Sequence, residues 1–339
     1  MLLGHRTWKF ENRPAIAAAA AVVGPEEGEG PLADDFDIIH ADPYVQQDSW
    51  EKAERALMEE ASNLAIKKAN LTKEQVQFYV GGDLLNQIVS STFNARTLSI
   101  PYIGVFGACS TSMESLALAA LLVDSGNADT VLAGTCSHNS TAEKQFRYPT
   151  EYGSQKPPTA HFTVTGAGAA IVRSSGPGPV ITSATMGRVV DMGIKDPFNM
   201  GAAMAPAAFD TIQAHLKETQ TEPGDYDMIV TGDLAKVGHG IAKELFQEHQ
   251  IAMDQTEFND CGLMIYDVEK KKDLVQAGGS GCACSAVVTY GHLLKRINNG
   301  ELKRILVAAT GALLSPLTFQ QGESIPSICH VVCIESGGE

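Results

Sequence analysis

Tyr102-Ile-Gly-Val-Phe-Gly-Ala-Cys-Ser-Thr-Ser-Met-Glu-Ser-Leu-Ala-Leu-Ala-Ala-Leu-Leu-Val-Asp-Ser-Gly126 decides the fold. An extended apolar run enters it, and a small-residue elbow follows at Gly107-Ala-Cys109. Next comes a helix rich in Ala and Leu that is apolar almost all round, so it has no solvated face and must lie inside the protein. Gly126 suits the left-handed residue that ends a helix, and Thr130 to Ala133 reads as the next strand. The stretch is therefore a β-α-β unit with a buried crossover helix, and such connections are right-handed.

Cys109 stands where strand hands over to helix. Unpaired backbone N–H groups and the helix dipole point at such a spot. Three readings follow. A thiol there has a depressed pKa and serves as a nucleophile; the same N–H groups hold an anion; or the cysteine is a small buried apolar residue.

Outward from this unit, the chain has 339 residues, 44% hydrophobic and 19% charged, enough for one large or two fused cores. A formal net charge of −15 argues against a protein that grips nucleic acid through phosphate contacts. The longest apolar run, Ala15 to Val23, is far short of the roughly 20 residues that span a bilayer. The start Met1-Leu-Leu-Gly-His lacks the pattern of a signal peptide. The expected place is the cytosol, or a membrane face held through partners. Seven cysteines without a secretory signal argue against a disulfide framework. The spacings of Cys282 with Cys284 and of Cys329 with Cys333 do not match a zinc knuckle, so no metal and no cofactor are expected.

Along the chain, Ala15 to Val23 reads as a strand, Glu26 to Asp37 as a loop, and Trp50 to Ala69 as a helix capped by Ser49. Gln77 to Val80 is a strand. Ser137 to Pro158 is polar and proline-punctuated and reads as a long loop, and His161 to Val172 as two strand pieces. Ser174-Ser-Gly-Pro-Gly-Pro179 then breaks the chain. Beyond it the pattern repeats. Met228-Ile-Val-Thr-Gly-Asp-Leu234 mirrors Phe78-Tyr-Val-Gly-Gly-Asp-Leu84. Leu293 to Thr310 mirrors Leu121 to Thr135, and a second small-residue elbow lies between Gly278 and Ser285. Two copies of one α/β unit are expected, residues 1–173 and 174–339.

Gly107-Ala-Cys-Ser-Thr-Ser-Met-Glu-Ser-Leu-Ala together with Gly126-Asn-Ala-Asp-Thr-Val-Leu-Ala-Gly134 resembles the nucleophile segment of the thiolase superfamily, the thiolases and ketoacyl-ACP synthases. The resemblance implies a thiolase-like fold, two duplicated α/β halves with sheets sandwiching buried helices, and puts Cys109 at the nucleophile position. It implies a homodimer formed through about residues 83–105. It also implies two His, or a His and an Asn, from the second half. Here Ser280 stands where one belongs, and Thr231-Gly-Asp-Leu234 offers no His for the other. Without a base or an oxyanion hole a thiolate traps an acyl group but turns over poorly. An enzyme is therefore not expected; the alternative is an acyltransferase using Cys109. His239 and His249, on the helix after that strand, read as solvated or capping. His330 reads as a satisfied core or edge residue. His138 and Asn139 leave the same sheet edge as Cys109, which places them at the same cleft.

Four further stretches, Gly4 to Asn12, Gly82 to Gln87, Val190 to Met200 and Gly322 to His330, resemble a family of endospore proteins that carry this fold. That resemblance implies binding of pyridine-2,6-dicarboxylate (dipicolinate), free or as its calcium chelate. It implies membrane-protein partners of the same sporulation operon and a place on the cytoplasmic face of the spore inner membrane. The expected ligand-binding set is Cys109, Ser110, Thr111, Asp83, Asn86, His138, Asn139, Ser280 and Cys282, with one carboxylate on the N–H groups of Cys109 to Thr111.

Overall fold

Ten strands carry the architecture of the computed structural model, which describes residues 1–147 and 156–337. They are β1 Ala15–Val23, β2 Phe78–Asp83, β3 Tyr102–Gly104, β4 Thr130–Ser137, β5 Gly166–Arg173, β6 Val180–Thr185, β7 Met228–Thr231, β8 Glu257–Asp260, β9 Arg304–Ala312 and β10 Ser327–Glu335. Their order across the sheet is β8-β7-β9-β10-β6-β1-β5-β4-β2-β3. Counted outward from the middle, β1 to β5 occupy places 1, 4, 5, 3 and 2, and β6 to β10 occupy the same places on the other side. In each half the two outer pairings are parallel and the two inner ones antiparallel. In the strand order above, the halves meet where β6 pairs β1 at Val180 and Ala15. The chain passes between them over 174–179, between β5 and β6.

Helices repeat in the same order: α1 Trp50–Lys68, α2 Val89–Leu98, α3 Thr111–Asp124 and α4 Asn139–Phe146 in the first half, then α5 Met200–Thr219, α6 Ala235–Glu248, α7 Cys282–Val287 running on through Val288–Leu293 into α8 Leu294–Asn298, and a short helix Pro316–Gln320 in the place of α4. The apolar helix α3 is buried as its composition demands. Met113, Leu116, Ala117 and Ala120 share one core with Ala283, Ala286 and Val287 of α7 and with strand residues of both halves, such as Val131 and Val307. A hydroxyl pair, Ser112 with Ser285 at 2.6 Å, ties α3 to α7 in that core. The outer faces are covered by α1, through Leu57, Met58 and Ala61, and by α5, through Ala203, Met204 and Ile212. The result is the mixed α/β architecture expected, with sheets around buried helices. Among the described residues no helix is long and apolar enough to cross a membrane.

Several local readings change. Ser49 does cap α1, accepting from the N–H of Lys52, and Gly126 closes α3 at φ +72°. The stretch 137–158 is not all loop, because 139–146 is helix α4, and 148–155 lie outside the described residues. Likewise 26–37 contains helical turns at Pro25–Gly28 and Ala33–Asp35. The first turn buries Glu27, which accepts from Tyr266 and from the Thr165 N–H. Short polar helices carry too few apolar residues to show a period, so tertiary contacts decide them. Ahead of β1, Thr7–Lys9 forms a short further strand that pairs with β6 of the second half.

Candidate ligand-binding cleft

The elbow is braced by its own side chains. Ser110 Oγ donates to Gly107 O at 2.6 Å, and Thr111 Oγ1 donates to Ala108 O at 2.7 Å and accepts from the Gly107 N–H at 3.0 Å. Ala108 sits at φ +50°, a left-handed conformation that costs an L-residue about 1–2 kcal/mol. The strained turn sets Cys109 at the head of α3. From behind, Cys282 Sγ donates to Ala108 O at 3.0 Å.

A narrow cleft, with a cavity volume of about 30 Å³, opens in front of Cys109. Its apolar walls are Leu84, Phe106, Phe146, Met200, Met204 and Leu314. Its polar residues are Arg147, His161, Thr163, Asp233 and Ser280. Arg147 ends α4, where Nη1 pairs with Glu143 at 2.6 Å and donates to the His161 carbonyl at 3.2 Å. Among the described residues its Nε is buried without a partner, and so are both ring nitrogens of His161. His161 directly precedes the short strand Phe162–Thr163, which pairs with Gly279–Ser280 and so brings His161 and Ser280 to one wall. Burial, with Arg147 beside it, lowers the His161 pKa to about 3, so the ring is neutral.

Asp233 faces Cys109 from the turn after β7. It accepts from Thr310 Oγ1 at 2.6 Å and from the Gly281 N–H at 3.1 Å. Burial lifts its pKa to about 7. This pairing corrects the expectation for the thiol. Burial, with Asp233 adding to it, pushes the Cys109 thiol well above its usual range. The helix-terminus effect loses because the free donors are few: the Ser110 and Thr111 N–H groups already bond Gly107 O and Ala108 O at 3.1 and 3.2 Å. Cys109 is a neutral thiol, and the end of α3 offers an anion fewer donors than its position suggested.

Of the expected set, only Cys109 and Ser280 line the cleft. Ser110, Thr111 and Cys282 build the elbow behind it. His138 does not face it: Nδ1 accepts from Ser140 N and Nε2 bonds Pro43 O at 2.8 Å, so the ring caps α4. Asn139 binds Thr165 Oγ1 through its backbone N–H. Asp83 is fully buried and accepts the N–H groups of Leu85 and Ser91, which fixes the turn before α2. Asn86 is exposed and held by Gln145. Leaving the same sheet edge was a sound reason to place these residues near the cleft, but backbone groups claim the side-chain polar atoms of Asp83 and His138, and neither Asn86 nor Asn139 lines it. His239 is neither solvated nor capping; it is buried against Phe258, with its pKa lowered to about 4 by burial. His330 is buried and accepts from the Gly187 N–H, as expected.

Arg147, His161 and Asp233 were not singled out in the sequence. Asp233 had a visible signal, because it is the second copy of the Gly-Asp-Leu motif, and only the partner elbow across the two halves shows which copy faces Cys109. Arg147 and His161 had none, being single polar residues in or beside a segment of loop-like composition.

Comparison with known proteins adds three findings. The profile of the stage V sporulation protein AD family matches residues 4–335. Stage V sporulation protein AD of Bacillus subtilis (strain 168) is 53% identical over 338 residues, covering 99% of this chain and 98% of that protein. Among solved structures, human mitochondrial 3-ketoacyl-CoA thiolase in complex with CoA superimposes with a TM-score of 0.59 at 14% identity, over 99% of this chain and 100% of that one. The 3-oxoacyl-[acyl-carrier-protein] synthase III from Aquifex aeolicus VF5 gives 0.58 at 14%, over 95% and 99%. At such identities the last two show the thiolase-like fold and nothing about activity.

Proposed function

The chain belongs to the stage V sporulation protein AD family, and from that premise we propose that it is a non-catalytic binding component of the spore dipicolinate transport machinery, taking up dipicolinate, free or as its calcium chelate, in sporulation and releasing it in germination. One observation carries the reading. The cleft at Cys109 holds unpartnered, buried nitrogen atoms of Arg147 and His161 between apolar walls. A buried polar atom left unpaired costs about 1–3 kcal/mol, a cost that a carboxylate placed there would remove. Phe106, Phe146 and the methionines suit the faces of a flat aromatic ring. The site in this reading keeps Cys109 and Ser280 from the sequence set and adds Arg147, His161 and Thr163; Ser110, Thr111 and Cys282 support its floor.

The other reading, an acyltransferase using Cys109, draws on the elbow itself. Against it stand a neutral thiol, a carboxyl group at Asp233 and a hydroxyl at Ser280 where an imidazole would be needed to move protons. Titration calorimetry with dipicolinate, beside a thiolysis and condensation assay with acyl-CoA substrates, separates the two. We expect saturable one-site binding and no turnover above background. Sustained turnover abolished by Cys109→Ala, or no dipicolinate binding up to millimolar concentration (a free energy of about −4 kcal/mol), would sink the proposal.

The same reading takes the protein as a peripheral homodimer on the cytoplasmic face of the spore inner membrane, beside membrane proteins of the same operon. For the dimer, support comes from β3, an edge strand with Ile103 exposed and Phe106 half exposed just beyond it. An uncovered edge of that kind invites pairing with a second copy. Light scattering at tens of micromolar, well above the dissociation constants of stable dimers, should give twice the chain mass. A monomer at that concentration rules the dimer out.

A further inference from the structure

Among the described residues, the charges around the cleft fall one short of what a dicarboxylate needs. Arg147 and Lys156 both pair with Glu143, at 2.6 and 2.9 Å, so the three groups together carry a single positive charge. Cys109 is neutral, and Thr163 and Ser280 contribute only hydroxyls. Asp233, held by Thr310 and Gly281, is neutral when protonated and negative otherwise. A dianion seated here would leave at least one negative charge unbalanced and out of water, which costs several kcal/mol. The one group at the wall able to supply the balance is the ring of His161, buried with neither nitrogen engaged.

We propose that His161 makes the cleft selective for dianions over monoanions by taking up a proton together with the ligand; this rests on the reading that dipicolinate binds in the Cys109 cleft. In the empty cleft, burial and the Arg147 charge keep the ring neutral. A dicarboxylate arriving beside Arg147 and the neutral ring reverses that balance, because an opposite charge within hydrogen-bond reach favours the protonated ring. The proton comes from solvent to the free ring nitrogen. Both nitrogens are then donors, and one meets the carboxylate that Arg147 does not hold. A monocarboxylate is already balanced by the single positive charge of the Arg147, Glu143 and Lys156 group, so it draws in no proton and forgoes the second charged contact.

Among the described residues, the titratable and charged groups facing His161 are Glu143 from α4 and Arg147 at its end, Lys156 from the segment before His161, Asp233 from the turn after β7, and Cys109 from the elbow. Asp233 is the competing proton acceptor, so the test must separate the two. Calorimetry at pH 7 in two buffers of different ionisation heat counts protons taken up per dipicolinate bound. Wild type should take up about one proton more than His161→Gln, and picolinate, with one carboxylate, should bind wild type with no such uptake. Between pH 8 and pH 6 wild-type affinity should rise by about tenfold per unit, and the slope should flatten in His161→Gln. Asp233→Asn should keep the His161-dependent uptake. Wild-type binding without buffer-dependent heat overturns this inference and leaves the binding proposal standing, as does an uptake unchanged in His161→Gln and lost in Asp233→Asn. Absence of dipicolinate binding to wild type overturns both.

Discussion

Replacing Arg147 by Met should lower dipicolinate affinity about a hundredfold or more while leaving the fold intact. The guanidinium is almost fully buried, at 3% side-chain exposure, and among the described residues it is the one arginine lining the cleft. Hydrogen bonds to charged groups are worth about 1.5–3 kcal/mol each, and a guanidinium fork offers two to one carboxylate, so a loss of about 3 kcal/mol or more follows, at 1.4 kcal/mol per factor of ten. Met keeps the length and apolar stem. Glu143 keeps a partner in Lys156 at 2.9 Å, so its carboxylate is not left buried alone. Lysine at 147 should restore part of the charge and little of the geometry. Cys109→Trp should abolish binding by filling the cleft, whereas Cys109→Ala should weaken it modestly, because the thiol is a neutral wall group. Calorimetry with each variant, after thermal melts confirm folding, checks the series. Wild-type affinity in either Arg147→Met or Cys109→Trp would put the ligand elsewhere. Asp83→Arg belongs to another class: Asp83 caps the turn before α2, so this change should damage folding before it touches the cleft.

What could be read from the chain divides along a physical line. Features encoded locally were legible. Ala15 to Val23 is a strand over the whole predicted range because nine consecutive apolar, small or β-branched residues admit little else in a buried sheet. The elbow and the helix at Cys109 followed from small residues before an all-apolar helix. The duplicated order of strands followed from repeated motifs. Features set by the meeting of distant segments were not legible. His161 becomes a cleft residue only because Phe162–Thr163 pairs with Gly279–Ser280, more than a hundred residues away. Arg147 becomes buried only because 139–146 forms a helix against the His161 backbone. The depressed thiol expected at Cys109 failed for a related reason: a helix terminus is a local feature, but the desolvation and the Asp233 carboxyl that override it come from the fold. His138 shows the converse, a local cap mistaken for a long-range contact.

Stability should fall as pH rises from 6.5 to 8, which runs against the usual expectation for an acidic protein with ion-paired carboxylates. Glu27, Glu114 and Asp233 have pKa values raised to about 7, in each case by burial first, and burial raises Glu54 in the same direction. A carboxyl group raised in the folded state contributes its stability in full below the unfolded pKa and loses it as pH climbs through the folded one. Buried histidines act in the opposite sense. Burial lowers His161 and His215 to about 3 and His239 and His330 to about 4, so their contribution is complete above about 6.5 and is lost on acidification. Between about 4.5 and 6.5 the two sets oppose each other. Above 6.5 the carboxyl set changes most, because the unfolded histidines are half deprotonated already and finish by about 7.5, and at 8 the buried thiols, all raised, have barely begun to matter. Three or four carboxyl groups crossing their folded pKa in that window amount to about 2–4 kcal/mol, or a fall of roughly 5 °C in Tm for a chain of this size. Glu27→Gln keeps an oxygen for the Thr165 N–H and removes one titrating group, so its melting curve should depend less on pH. Thermal melts of both proteins at half-unit steps test this. A wild-type Tm that is flat or rising from pH 6.5 to 8 would show that these carboxyl groups are already ionised in the folded protein below neutral pH.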